Sequence, residues 1–184
     1  MKDSSHLIGD PVKLHATLQE QGYLLIRGLH DREEVLRARL KVLEHLSQLG
    51  GKLDESKPIE DGVLLSRCGK SCVPFMEGIT PLTSSKEVSA ILNGARPKKF
   101  FDAFFGEECM SFDFKWLRAV PNGAFTGAHT DSVYMSRGTP DLVTMWTPFG
   151  DVNQDMGTIA VLEGSNHIPE YAKSVKVHTG PLPK

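Results

Sequence analysis

Two side chains in this sequence are spaced to hold a metal ion together: His129 and Asp131, in Gly127-Ala128-His129-Thr130-Asp131. In a strand, residues i and i+2 project from the same face. The motif can therefore offer an imidazole nitrogen and a carboxylate oxygen to one cation. With a second histidine, such a pair makes the facial triad of non-haem iron(II) oxygenases, which keeps positions open for cosubstrate and dioxygen. Taken alone, His-x-Asp also describes an ordinary surface pair. His178, in the alternating run Val175-Lys176-Val177-His178, is the candidate third ligand; the alternative is that no third ligand is present. Arg118, with Lys115 nearby, is the candidate partner for a carboxylate cosubstrate, against the simpler reading of a surface charge.

These residues must be carried by elements, and the first half of the chain reads as helical. Val12, Leu14 and Leu18 recur at helical spacing over 11–21, and Gly22 stops the pattern. Tyr23-Leu24-Leu25-Ile26 reads as a short buried strand. Asp31 is placed as an N-cap, with Glu33 and Glu34 in the first turn, for a long helix carrying Leu36, Leu40, Leu43, Leu46 and Leu49. Gly50-Gly51 ends it. Residues 51–84 read as a loop-rich insertion in which 62–66 is a candidate strand. Ser84 or Ser85 caps a helix through Leu92, and another follows Pro97. Of Phe100, Phe101, Phe104 and Phe105, most are expected to be buried.

Beyond Glu108 the texture turns to strand. Residues 111–120 alternate apolar and polar side chains before the turn Pro121-Asn122-Gly123. Residues 141–149 and 158–162 are further strand candidates. Helices first and strands second define an α+β domain, expected to occupy 1–184 as one unit, whose sheet closes into a barrel or sandwich.

Composition excludes several classes of function. There are 21 basic and 23 acidic side chains, a formal charge of -2, so no long-range field draws nucleic acid or an anionic membrane surface. No run of eighteen apolar residues spans a bilayer. The start of the chain lacks the apolar stretch of a signal peptide. A soluble, cytoplasmic protein acting on a small molecule is expected, its oligomeric state open. The three cysteines, Cys68, Cys72 and Cys109, read as reduced thiols.

In order and in kind, these features resemble the phytanoyl-CoA dioxygenase family over nearly the whole chain. The entry Gln21-Gly22-Tyr23-Leu24-Leu25-Ile26-Arg27-Gly28-Leu29 is similar to that family's helix, Gly-Tyr, strand and Gly-Leu opening. His129-Thr130-Asp131 follows, then Trp146 where a tryptophan lines the cosubstrate pocket. The acidic turn from Asp151 to Gly157 leads to Gly164-Ser165-Asn166-His167, a segment whose histidine is structural in the family. The resemblance implies a double-stranded β-helix (jelly-roll, cupin-like) with helices packed on the sheet. It also implies iron(II), 2-oxoglutarate as cosubstrate, and oxidative hydroxylation of a small or lipid-like substrate. An aspartate at 131, where halogenating relatives carry a small residue, implies hydroxylation.

One departure bears on activity. Family members carry the distal histidine and a 2-oxoglutarate-binding arginine well beyond the Gly-Ser-His segment, and no arginine follows His167 here. The expectation is a chain lacking the C-terminal strands. Its alternatives are a non-catalytic isoform or pseudoenzyme acting as a binding protein, and a cupin-like binding protein of the same barrel type.

Overall fold

The structure is a computed structural model that describes residues 1–65, 67–68, 73, 75–121, 123–131, 135 and 141–169. The chain gathers into two compact units. One comprises Met1–Leu25, Thr126–Thr147 and Ile159–Lys184, the other Ile26–Phe125 and Pro148–Thr158.

In the first unit, helix α1 spans Pro11–Gln21. Asp10 caps it by accepting the Lys13 N–H, and Pro11 supplies a first residue already fixed near helical φ. Gly22 ends the helix in the left-handed conformation at φ 81°, its N–H donating to the Leu18 carbonyl. Leu14 and Tyr23 are buried. The Ser4 N–H donates to the Leu25 carbonyl at 2.9 Å, and the Lys2 N–H donates to the Tyr23 hydroxyl at 2.9 Å. The expected strand at 23–26 is thereby reduced to one parallel bridge between Asp3 and Leu25.

The second unit is organised by helix α2, Arg32–Gln48, whose N-cap Asp31 accepts the Glu33 and Glu34 N–H groups. The face it buries carries Ala38, Val42, Leu43 and Leu46, whereas Leu36 and Leu49 are exposed. A leucine stripe predicts that a helix is amphipathic, but neighbouring elements select which flank is covered. The main neighbour is α3, Lys86–Leu92, capped by Ser85 and burying Val88 and Ile91. Helix α4, Ala95–Phe105, starts two residues before Pro97, which the first helical turn tolerates because its N–H is not needed there. Of the four phenylalanines only Phe104 is buried; the others are partly exposed and pack ring to ring along the helix surface.

The only regular strands among the described residues are β1, Met76–Gly78, and β2, Lys115–Leu117, paired antiparallel with Met76 opposite Leu117. The candidate strand at 62–66 keeps one antiparallel bridge, Leu53 to Leu64. Within 111–120 only Lys115–Leu117 forms a ladder. Residues 141–149 and 158–162 have none. Alternation marks a segment able to pair, but a strand exists only where a second backbone accepts its N–H groups.

Val42, Leu43, Leu46, Leu53, Met76, Leu82, Val88 and Leu117 form one core cluster, which also takes in Cys68. Cys68 is disulfide-bonded, correcting the free-thiol expectation, and Cys109 is free. Pairing depends on how closely two cysteines approach in space, which a count of three does not reveal. Arg39, on the other flank of α2, donates to the Asp61 carbonyl at 3.1 Å and to the carbonyls of Glu60 and Phe149, both at 3.5 Å. Gly62 adopts the left-handed conformation at φ 63°, and a Cβ there would lie 2.7 Å from Arg39 Nη2 and displace that guanidinium. No helix among the described residues is long and apolar enough to cross a membrane.

Candidate metal centre

His129 and Asp131 belong to the first unit and are brought together by a loop, not by the strand that their spacing predicts. The Asp131 carbonyl accepts the Met135 N–H at 3.1 Å. His129 Nε2 lies 3.2 Å from Asp131 Oδ1, with the two side chains 42% and 37% exposed. On the other edge of the ring, His129 Nδ1 lies 2.8 Å from the Gly127 carbonyl. A carbonyl only accepts, so Nδ1 carries the proton, and in the neutral ring the lone pair sits on Nε2. Two acceptor atoms then face each other, an arrangement that a shared proton or a cation between them relieves.

The donor set fits a first-row divalent cation. One imidazole nitrogen and one carboxylate oxygen are the mixed ligands such ions take. At 3.2 Å the two atoms are close enough together that both could be donors to one ion. The Gly127 carbonyl is the outer hydrogen-bond partner that usually fixes the tautomer and orientation of a ligating histidine. Among the described residues, no group of three or more His, Cys, Asp or Glu side chains converges on one point.

The remaining candidates are placed as follows. Trp146 lies in the same unit as the pair and is half exposed. Arg118 belongs to the other unit, where its guanidinium carbon sits 4.6 Å above the Phe75 ring, a cation–π contact. Lys115 donates to the Phe112 carbonyl, and burial pushes its pKa below the ordinary lysine value. His178 lies outside the described residues. His167 closes a short 3-10 turn, Ser165–His167, beside α1. In that segment Asn166 Nδ2 donates to the Gln19 carbonyl at 2.6 Å, and the Gly164 N–H donates to the Gln21 carbonyl at 3.1 Å. The Gly-Ser-Asn-His motif therefore satisfies the open carbonyls at the end of α1.

His30, outside the residues singled out from the sequence, has an unusual environment. Both ring nitrogens of His30 are buried without a hydrogen-bond partner among the described residues. Burial, and after it the Arg96 guanidinium, pushes the His30 pKa below its ordinary value, against a smaller opposing effect of Glu34. A usable signal existed: His30 immediately precedes the N-cap Asp31, a position commonly apolar and stapled to the helix.

Similarity to known proteins is distant. The chain is 25% identical over 173 residues to the 1-deoxypentalenic acid 11-beta-hydroxylase of Streptomyces exfoliatus, an alignment covering 89% of this chain and 57% of that protein. The chain thus spans a little over half the length of that relative. No protein-family profile matches it. No solved structure matches it either.

Proposed function

We propose that this chain carries the iron-binding portion of an iron(II)/2-oxoglutarate-dependent oxygenase of the phytanoyl-CoA dioxygenase kind, which hydroxylates a small or lipid-like substrate. The observation that carries the reading is the convergence of His129 Nε2 and Asp131 Oδ1 at 3.2 Å, with Nδ1 engaged by the Gly127 carbonyl. The distant similarity to a hydroxylase supports it. On this reading the fold around the pair is a double-stranded β-helix.

His129 binds through Nε2, and the Gly127 carbonyl keeps the ring turned so that this nitrogen faces Asp131. Asp131 contributes the negative charge that a divalent ion needs, and its carboxylate occupies a position that would otherwise admit a halide. Trp146 is the proposed cosubstrate contact, and His178 the proposed third ligand. When bound, iron(II) with 2-oxoglutarate supplies the activation of dioxygen that hydroxylation requires.

The test is anaerobic titration of the chain with iron(II) and 2-oxoglutarate, following the weak visible charge-transfer band of the chelate. The band is expected for the native sequence, and each of His129→Ala and Asp131→Ala is expected to abolish iron retention. Iron content unchanged in both variants would sink the assignment. A folded protein that shows no band at all would favour the second reading, a binding protein without the chemistry.

A further inference from the structure

We propose that His30 is an acid-sensitive latch, a half-buried imidazole with both ring nitrogens shielded, that holds the turn before α2 in place only while it is neutral. The proposal is independent of the metal pair. Both ring nitrogens are shielded from water and have no hydrogen-bond partner among the described residues. A neutral imidazole has one N–H to leave unsatisfied, whereas an imidazolium has two and a full charge besides.

The electrostatic surroundings also oppose the charged form. His30 sits one residue before the N-cap of α2, at the positive end of that helix's dipole. The charged groups acting on it are Glu34 from α2 and Arg96 from the first turn of α4. These two pair with each other at 3.7 Å, so the one carboxylate that could stabilise an imidazolium is shared with a guanidinium. The neighbouring Asp31 carboxylate is committed to the Glu33 and Glu34 N–H groups. Protonation therefore requires the ring to reach water.

The sign follows from the lowered pKa. The latched state binds fewer protons than the open one, so latching is full above the ordinary histidine value. It weakens as pH falls through that value, and the loss levels off below the pKa of the latched form.

Two readings on the 184-residue chain test this between about pH 7.5 and about pH 5. They are the NMR titration of the His30 ring and the hydrogen-exchange protection of the Glu34 and Val35 amides. His30 is expected to titrate below the ordinary value, with the two amides losing protection over the same interval. His30→Phe is expected to keep that protection throughout. Arg96→Gln should move both transitions to higher pH, and Glu34→Gln should move them to lower pH. The two charge variants carry the test should His30→Phe fail to fold. The latch is overturned by a His30 that titrates normally while protection stays intact. It is equally overturned by loss of protection persisting in His30→Phe, or by transitions that ignore Glu34 and Arg96.

Discussion

The carboxylate of Asp102 ties the last turn of α4 to the chain beyond it. Its Oδ1 accepts the Cys109 N–H at 2.8 Å, and both oxygens take the Lys98 ammonium one turn earlier, at 3.2 and 3.0 Å. The Cys109 N–H, then the Cys109 thiol and Lys98, hold the Asp102 pKa at about 2, below its ordinary 3.8. A carboxyl group with a lowered pKa stabilises the fold at pH values above its unfolded pKa, and that contribution fades as pH falls toward the folded one. Asp102→Asn should therefore melt at a lower temperature than the native chain at pH 7. The gap should narrow as pH falls through 3.8 and close below about 2, where the native residue is protonated too. The group is solvent-exposed, so screening keeps the difference small, and raised salt should narrow it further. A gap that persists unchanged at low pH would show that packing rather than charge holds this corner.

Among the elements, α1 depends most visibly on a distant stretch of sequence. Its last carbonyls are satisfied by Gly164 and Asn166, and a Cβ on Gly22 would lie 2.9 Å from Asn166 Oδ1. Gly22→Ala meets two penalties there. The left-handed backbone costs a residue with a Cβ about 1–2 kcal/mol. Displacing Asn166 from the Gln19 carbonyl costs about another 1 kcal/mol. Gly106 ends α4 at φ 74° but has open space where a Cβ would stand, so Gly106→Ala meets only the first penalty. Chemical denaturation of the two variants should rank Gly22→Ala as the more destabilising. Equal losses would mean that Asn166 gives way freely.

At the scale of the whole molecule, the second unit holds an apolar core cluster where α2 lies against α3. Leu46 is 1% exposed, and Val88 and Ile91 are fully enclosed. Removing the Leu46 side chain leaves a cavity that close-packed neighbours fill only in part, so Leu46→Ala should cost about 2–5 kcal/mol. Leu36, on the same helix but 38% exposed, should lose less than about 1.5 kcal/mol as Leu36→Ala, because less apolar surface returns to water. Urea unfolding curves separate the two. Similar midpoints would mean that the α2 face meeting the core is not the one described.

Local chemistry was legible in the sequence wherever a feature is satisfied by its own neighbours along the chain. Asp31, Ser85, Gly22 and the helical spacings each act within a turn or two, so caps, stops and helices α1 to α3 could be read from residue types. The pairing of His129 with Asp131 was legible for the same reason, since two residues of spacing already bring the donors within reach. Tertiary structure decided everything that needs a partner far away in the chain. It selected Ala38 and Val42 rather than Leu36 and Leu49 as the covered flank of α2, and left three of the four α4 phenylalanines partly exposed. It reduced the alternating segment 111–120 to the three-residue strand Lys115–Leu117, because alternation carries no information about whether a second backbone lies alongside. It also placed His30 beside Arg96, 66 positions later in the numbering, where burial and charge lower its affinity for a proton. Residue spacing determines what a side chain can reach locally; the environment that sets its protonation and covers its apolar surface is assembled only when distant segments meet.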